Sequence, residues 1–84
     1  MKYWETTYQM QTIRVENRWN GEKLYVNGVL QDERIGMRSD SRLYGRIINH
    51  NNEVEYIKVS IGTYLFTLQC VIFVNDQIVY SSKK

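Results

Sequence analysis

Alanine and proline are both absent from the 84 residues, and cysteine and histidine occur once each. Without alanine the strongest helix former is missing, and without proline no residue is barred from donating to a β-ladder. The single cysteine, Cys70, cannot close an internal disulfide, and one Cys with one His falls short of the four soft ligands of a structural zinc site, so no metal or cofactor is expected. No stretch approaches the roughly 18 apolar residues that a spanning helix requires. Met1–Thr7 also lacks the apolar centre of a signal peptide, so the sequence predicts a soluble, cytoplasmic chain with no membrane partner. Eleven basic against nine acidic residues leave a net charge of +2, too small to name a polyanionic partner by itself.

What is present points to strands. Val, Ile and Thr supply 21 residues, a quarter of the chain, and eleven aromatics, seven of them Tyr, favour a pleated, half-buried surface. The length suits a single β domain over residues 1–84. Alternation of apolar and polar residues, interrupted at turn residues, predicts an all-β fold. It should be a small antiparallel sandwich or flattened barrel of six to eight meander-connected strands.

Apolar positions are even from Trp4 to Met10 and odd from Ile13 to Trp19, which predicts a bulge or bend near Gln11 and Thr12. Asn20-Gly21, Asn27-Gly28, Asn49–Asn52 and Asn75-Asp76 read as turns, and Gly62-Thr63 as the reversal into a long strand Tyr64–Val74. Residues 31 to 42 are polar apart from Ile35 and Met37 and read as a loop with room for a short edge strand; residues 81 to 84 read as a frayed tail. Leu24–Leu30 echoes Ile72–Ile78 at a separation of 48 residues, the pattern either of two ordinary Asn-led hairpins or of a duplicated meander.

Thr12–Asn17, Asn20–Gly28, Ile57–Ile61, Phe66–Gln69 and Val74–Asp76 together form a pattern similar to the β-domains of Fas apoptotic inhibitory molecule, over roughly residues 11 to 80. The resemblance implies an all-β fold, no catalytic residues and action by binding proteins. That family typically carries two such domains, and residues 31 to 42 have no clear counterpart in it.

Among candidate surfaces, Arg34, Arg38, Arg42 and Arg46 recur every four residues and would share a face, available to phosphates or to acidic protein. Asp32, Glu33 and Asp40 lie among them, so internal ion pairs are the simpler reading. Tyr3, Trp4, Tyr44 and Tyr56 could stack bases beside basic residues, and Trp4 with Trp19 could hold a sugar, although aromatics in a small core mostly pack. Glu53 and Glu55 would stand about 7 Å apart on one strand face, a glycosidase-like spacing that also describes any wet strand. His50 sits in a polar turn, and no nucleophile elbow or phosphate loop accompanies Ser39, Asp40 or Ser41.

No catalytic residue is named, and a non-catalytic protein-interaction or structural module is the leading expectation, with nucleic-acid or carbohydrate binding as the alternative and a small enzyme behind both. The expected partners are a second copy of the chain and an unidentified protein, rather than nucleic acid. Leu65, Val71 and Phe73, on the second apolar face of Tyr64–Val74, are the expected oligomer interface.

Overall fold

Five two-residue reversals and bends shape the chain, and most are built by positive backbone φ. Asn27 (φ 51°) and Gly28 (φ 82°) form one tight hairpin, Asn75 (φ 47°) and Asp76 (φ 65°) another, as their residue types favour. In the computed structural model, which describes residues 1–36 and 40–82, these turns separate eight strands: β1 (Lys2–Tyr8), β2 (Gln11–Arg18), β3 (Gly21–Val26), β4 (Val29–Ile35), β5 (Asp40–Ile48), β6 (Val54–Tyr64), β7 (Thr67–Val74) and β8 (Gln77–Ser81). They form two antiparallel four-stranded sheets, β1-β2-β3-β4 and β5-β6-β7-β8, packed as a sandwich. Among the described residues no helix is long and apolar enough to cross a membrane.

The alternating apolar residues point inward. Trp4, Ile13, Val15, Leu24 and Val26 of the first sheet meet Leu43, Ile47, Ile57, Val59, Ile61, Cys70, Ile72 and Val74 of the second in one core. Cys70 is fully buried there, and burial pushes its thiol up to about 12, so it packs as a small hydrophobe.

The echo at 48 residues is a structural repeat. In both sheets the third and fourth strands carry a bulge at the same place: Leu24 pairs with Asp32 and Tyr25 with Leu30, leaving Gln31 as the extra residue, while Ile72 pairs with Tyr80 and Phe73 with Ile78, leaving Val79. The turn asparagines repeat the same bonds. Asn27 N–H donates to Thr12 O and its Oδ1 accepts from Thr12 N–H; Asn75 N–H donates to Tyr56 O and its Oδ1 accepts from Tyr56 N–H.

Four readings of the sequence are corrected. The parity change after Met10 is a hairpin turn at Gln9 (φ 48°) and Met10 (φ 64°), not a bulge, and the reversal placed at Gly62-Thr63 lies at Leu65 (φ 49°) and Phe66 (φ 66°). The stretch 31 to 42 is not a loop: Gln31–Ile35 belongs to β4 and Asp40–Arg42 to β5, while residues 37–39 lie outside the described residues. Its polar side chains have partners across the sandwich, which composition does not reveal. Of the supposed frayed tail, Ser81 ends β8 and Ser82 Oγ accepts from Cys70 N–H at 2.7 Å; residues 83 and 84 lie outside the description.

One side of the sandwich is sealed by those side chains. The bulge aims Gln31 at β5, where its carboxamide imitates a strand: Nε2 donates to Arg46 O at 2.9 Å and Oε1 accepts from Arg46 N–H at 2.7 Å. Asp32 Oδ2 accepts from Tyr44 N–H at 2.7 Å. Gly45 leaves the room, since a Cβ there would stand 2.5 Å from Gln31 Oε1. Deeper in, Ser41 Oγ donates to Glu22 Oε1 at 2.8 Å, so this buried carboxylate has its partner.

Candidate binding surface

Because strand neighbours alternate, burying Leu43 and Ile47 on β5 turns Arg42, Tyr44 and Arg46 outward, and burying Ile57 and Val59 on β6 turns Tyr56 and Lys58 outward. The register then fixes a checkerboard. Tyr44 faces Lys58, Arg46 faces Tyr56 and Arg42 faces Ser60, so Tyr44 has a cation on each side along β5 and one across, while Tyr56 has Arg46 across and Lys58 on one side with Val54 on the other. Tyr44 is 52% and Tyr56 65% exposed. On β7, Phe73 is opposite Lys58, whose ammonium lies 4.6 Å from the ring centre, and Val71 is opposite Ser60. Exposed Ile48, Val54 and Ile78 extend the same face.

None of Arg42, Arg46 and Lys58 has a carboxylate within ion-pair distance among the described residues. Arg42 Nη1 donates to the carbonyl of Ser41. Asp40 at the start of β5, exposed Glu53 just before β6 and exposed Asp76 in the β7–β8 turn lie at the borders of this surface.

The outer face of the first sheet is built from the same residue classes with the opposite result. Glu16 accepts from Arg14 Nε at 2.9 Å and from Arg18 Nη2 at 2.6 Å, Arg14 also reaches Glu5, and Lys23 pairs with Glu33. The Arg14 hydrogen bond, with Arg18 beside it, holds the Glu16 carboxyl below the usual glutamate range. Arg14 covers the ring of Tyr3 at 3.9 Å. Charge is matched within that face, and the Tyr3 ring, though 53% exposed, is stacked with Arg14.

The arginine run of the sequence does not share a face. Arg34 lies on β4, paired with Asp32 at 3.1 Å, whereas Arg42 and Arg46 lie on β5 of the other sheet; Arg38 is outside the described residues. Two strands, not one periodicity, carry the exposed cations, and Lys58 completes them. Of the four aromatics proposed for stacking, Tyr44 and Tyr56 come together, Tyr3 lies under Arg14 on the first sheet, and Trp4 is core. Trp19 is 85% exposed at the β2–β3 turn, so it neither closes the core nor joins Trp4 in a platform.

The expected oligomer residues are also divided. Val71 and Phe73 lie half-buried on the outer face of the second sheet, while Leu65 occupies the β6–β7 turn, beyond Thr67 and roughly 20 Å of strand from Phe73. That turn is unusual in its own right. Leu65 and Phe66, like Gln9 and Met10, take left-handed conformations that Asn, Asp and Gly supply in the other turns, and Phe66 is fully exposed at 101%. Beside it, Lys2, Tyr64, Leu65, Leu68 and Ser82 line an open groove of about 590 Å³.

The remaining candidates are dispersed. Glu55 lies at the rim of the core, where it accepts from Tyr8 OH and Asn49 Nδ2, and these bonds, Tyr8 first, hold its carboxyl below the usual range. Glu53 is in the β5–β6 turn, bonded to Asn49, and His50 is exposed beside it. Ser41 is spent on Glu22 and Ser39 is outside the described residues. No protein-family model, curated protein or solved structure matches the chain.

Proposed function

We propose that the chain is a non-catalytic interaction module that docks an anionic partner on the outer face of its second sheet. The observation that carries this reading is the set of three cations, Arg42, Arg46 and Lys58, that have no acidic partner among the described residues on a sheet face that also exposes Tyr44 and Tyr56. Charges on a solvated face are ordinarily interspersed with their opposites, as they are on the first sheet. Tyr and Arg are the side chains that binding surfaces concentrate, because each combines large contact area with a polar group. The resemblance to the β-domains of Fas apoptotic inhibitory molecule supports a binding role over a catalytic one. Retention on an immobilised polyanion such as heparin tests the reading. The wild-type domain should elute at higher salt than the triple variant Arg42→Ala, Arg46→Ala, Lys58→Ala, and Arg14→Ala should elute with the wild type. Identical elution of wild type and triple variant would refute it.

A further inference from the structure

We propose that the anionic partner is a single-stranded nucleic acid, bound with bases on Tyr44 and Tyr56 and phosphates on Arg42, Arg46 and Lys58. This rests on the docking face proposed above and adds the chemistry of its ligand. A protein partner would also use Tyr and Arg, but alternating cations with exposed aromatic rings across two strands is the pattern that lays phosphates and bases of a single strand on one surface. Among the described residues no cation lies over Tyr44 or Tyr56, although Tyr3, Trp4 and Phe73 each have one.

The two rings are diagonal neighbours in the β5–β6 register, because Tyr44 faces Lys58 and Tyr56 faces Arg46. Diagonal positions are roughly 7–8 Å apart, wider than the stacking distance within a duplex and suited to two bases splayed onto separate rings. Arg42 and Arg46 flank Tyr44 along β5 with Lys58 across from it, and Tyr56 has Lys58 beside it and Arg46 across, so a backbone crossing the sheet would meet cations next to each base. The half-buried Val71 and Phe73 continue the surface on β7 without introducing an acid. A rigid duplex keeps its bases stacked inside and could use only the cations, so the arrangement selects unpaired strands.

The test is fluorescence anisotropy of a labelled twelve-nucleotide oligothymidine titrated with the folded domain across a salt series, with unlabelled duplex, heparin and polyglutamate as competitors. Single strands lose about 0.7 in log K per log salt for each phosphate neutralised, so three cations should give a slope near −2. The triple Arg/Lys variant should flatten that slope. Tyr44→Ala with Tyr56→Ala should weaken binding roughly tenfold or more while leaving the slope unchanged, because stacking carries no counterions. Thermal melts of both variants verify that these exposed substitutions leave the fold intact.

Single strand should outcompete duplex of the same sequence. Heparin or polyglutamate binding with equal or greater affinity, insensitive to the tyrosine substitutions, would overturn the nucleic-acid assignment and leave the anionic docking face standing. Failure of every polyanion to bind at low salt would overturn both.

Discussion

The two sheets of this sandwich share one plan and differ in what they do with their outer faces. Each is a four-strand meander closed by an Asn-led hairpin, with the turn asparagine bonded to the backbone two strands back and a bulge at the same position. On the first sheet Arg14, Arg18 and Lys23 are matched by Glu5, Glu16 and Glu33; on the second Arg42, Arg46 and Lys58 are unmatched among the described residues. The bulge residues diverge too. Gln31 reaches out to seal the seam with β5, while Val79 packs against the core. A repeated frame thus fixes the fold, and the residues free of that duty separate a self-satisfied sheet from one able to bind.

If the repeat is energetic as well as geometric, equivalent substitutions should cost alike. Leu24→Ala and Ile72→Ala both remove a fully buried side chain at the bulge and should each destabilise by about 2–5 kcal/mol in urea unfolding. A loss confined to one of them would mean that a single sheet dominates the core.

The seam should break the equivalence. Gln31→Val removes two solvent-accessible hydrogen bonds to the Arg46 backbone and should cost about 0.5–1.5 kcal/mol, whereas Val79→Gln leaves no strand group unpaired and should cost less. Equal melting temperatures for the two variants would remove Gln31 from its sealing role.

The turns test the repeat at lower cost. Asn27→Ala and Asn75→Ala each lose a side-chain bond to the backbone at a left-handed position, about 1 kcal/mol apiece. In the opposite direction, Leu65→Asn with Phe66→Gly should raise the melting temperature, because those residue types relieve positive φ and remove exposed apolar surface. Unchanged stability would mean that the Leu65-Phe66 turn carries no strain.

The smallest effect is electrostatic. The Glu16 carboxyl is held below its ordinary value of 4.5 in the folded protein, so its contribution is complete above that pH and disappears as pH falls through the depressed folded value. Glu55 follows the same direction. Melting temperature should therefore drop on acidification below about 4.5, and Glu16→Gln should blunt the drop. An unaltered acid profile in that variant would show that the Arg14–Glu16–Arg18 cluster adds nothing to folding.

Alternation along Ile13-Arg14-Val15 and Ile57-Lys58-Val59, and the Asn-led turns, made the strands and the core legible from the amino-acid order alone. The turns at Gln9-Met10 and Leu65-Phe66 were not, because neither pair contains a residue that prefers positive φ, and the chain accepts left-handed backbone there regardless. The β4 strand was hidden because Gln31 and Asp32 find their partners on β5, a contact at no fixed sequence spacing. The binding face was hidden for a related reason. Arg34, Arg38, Arg42 and Arg46 are periodic in sequence, yet what juxtaposes Tyr44 with Lys58 and Arg46 with Tyr56 is the β5–β6 register. Periodicity along one strand cannot report which residues lie opposite.

The most direct test of the difference between the sheets is a ¹H–¹⁵N NMR titration of the wild-type domain with oligothymidine, following backbone amides of both outer faces at once. Shifts should concentrate at Arg42, Tyr44, Arg46, Tyr56 and Lys58 and leave Arg14, Glu16 and Lys23 in place; shifts centred on the first sheet, or on the Leu65-Phe66 turn, would contradict the assignment of binding to the second sheet.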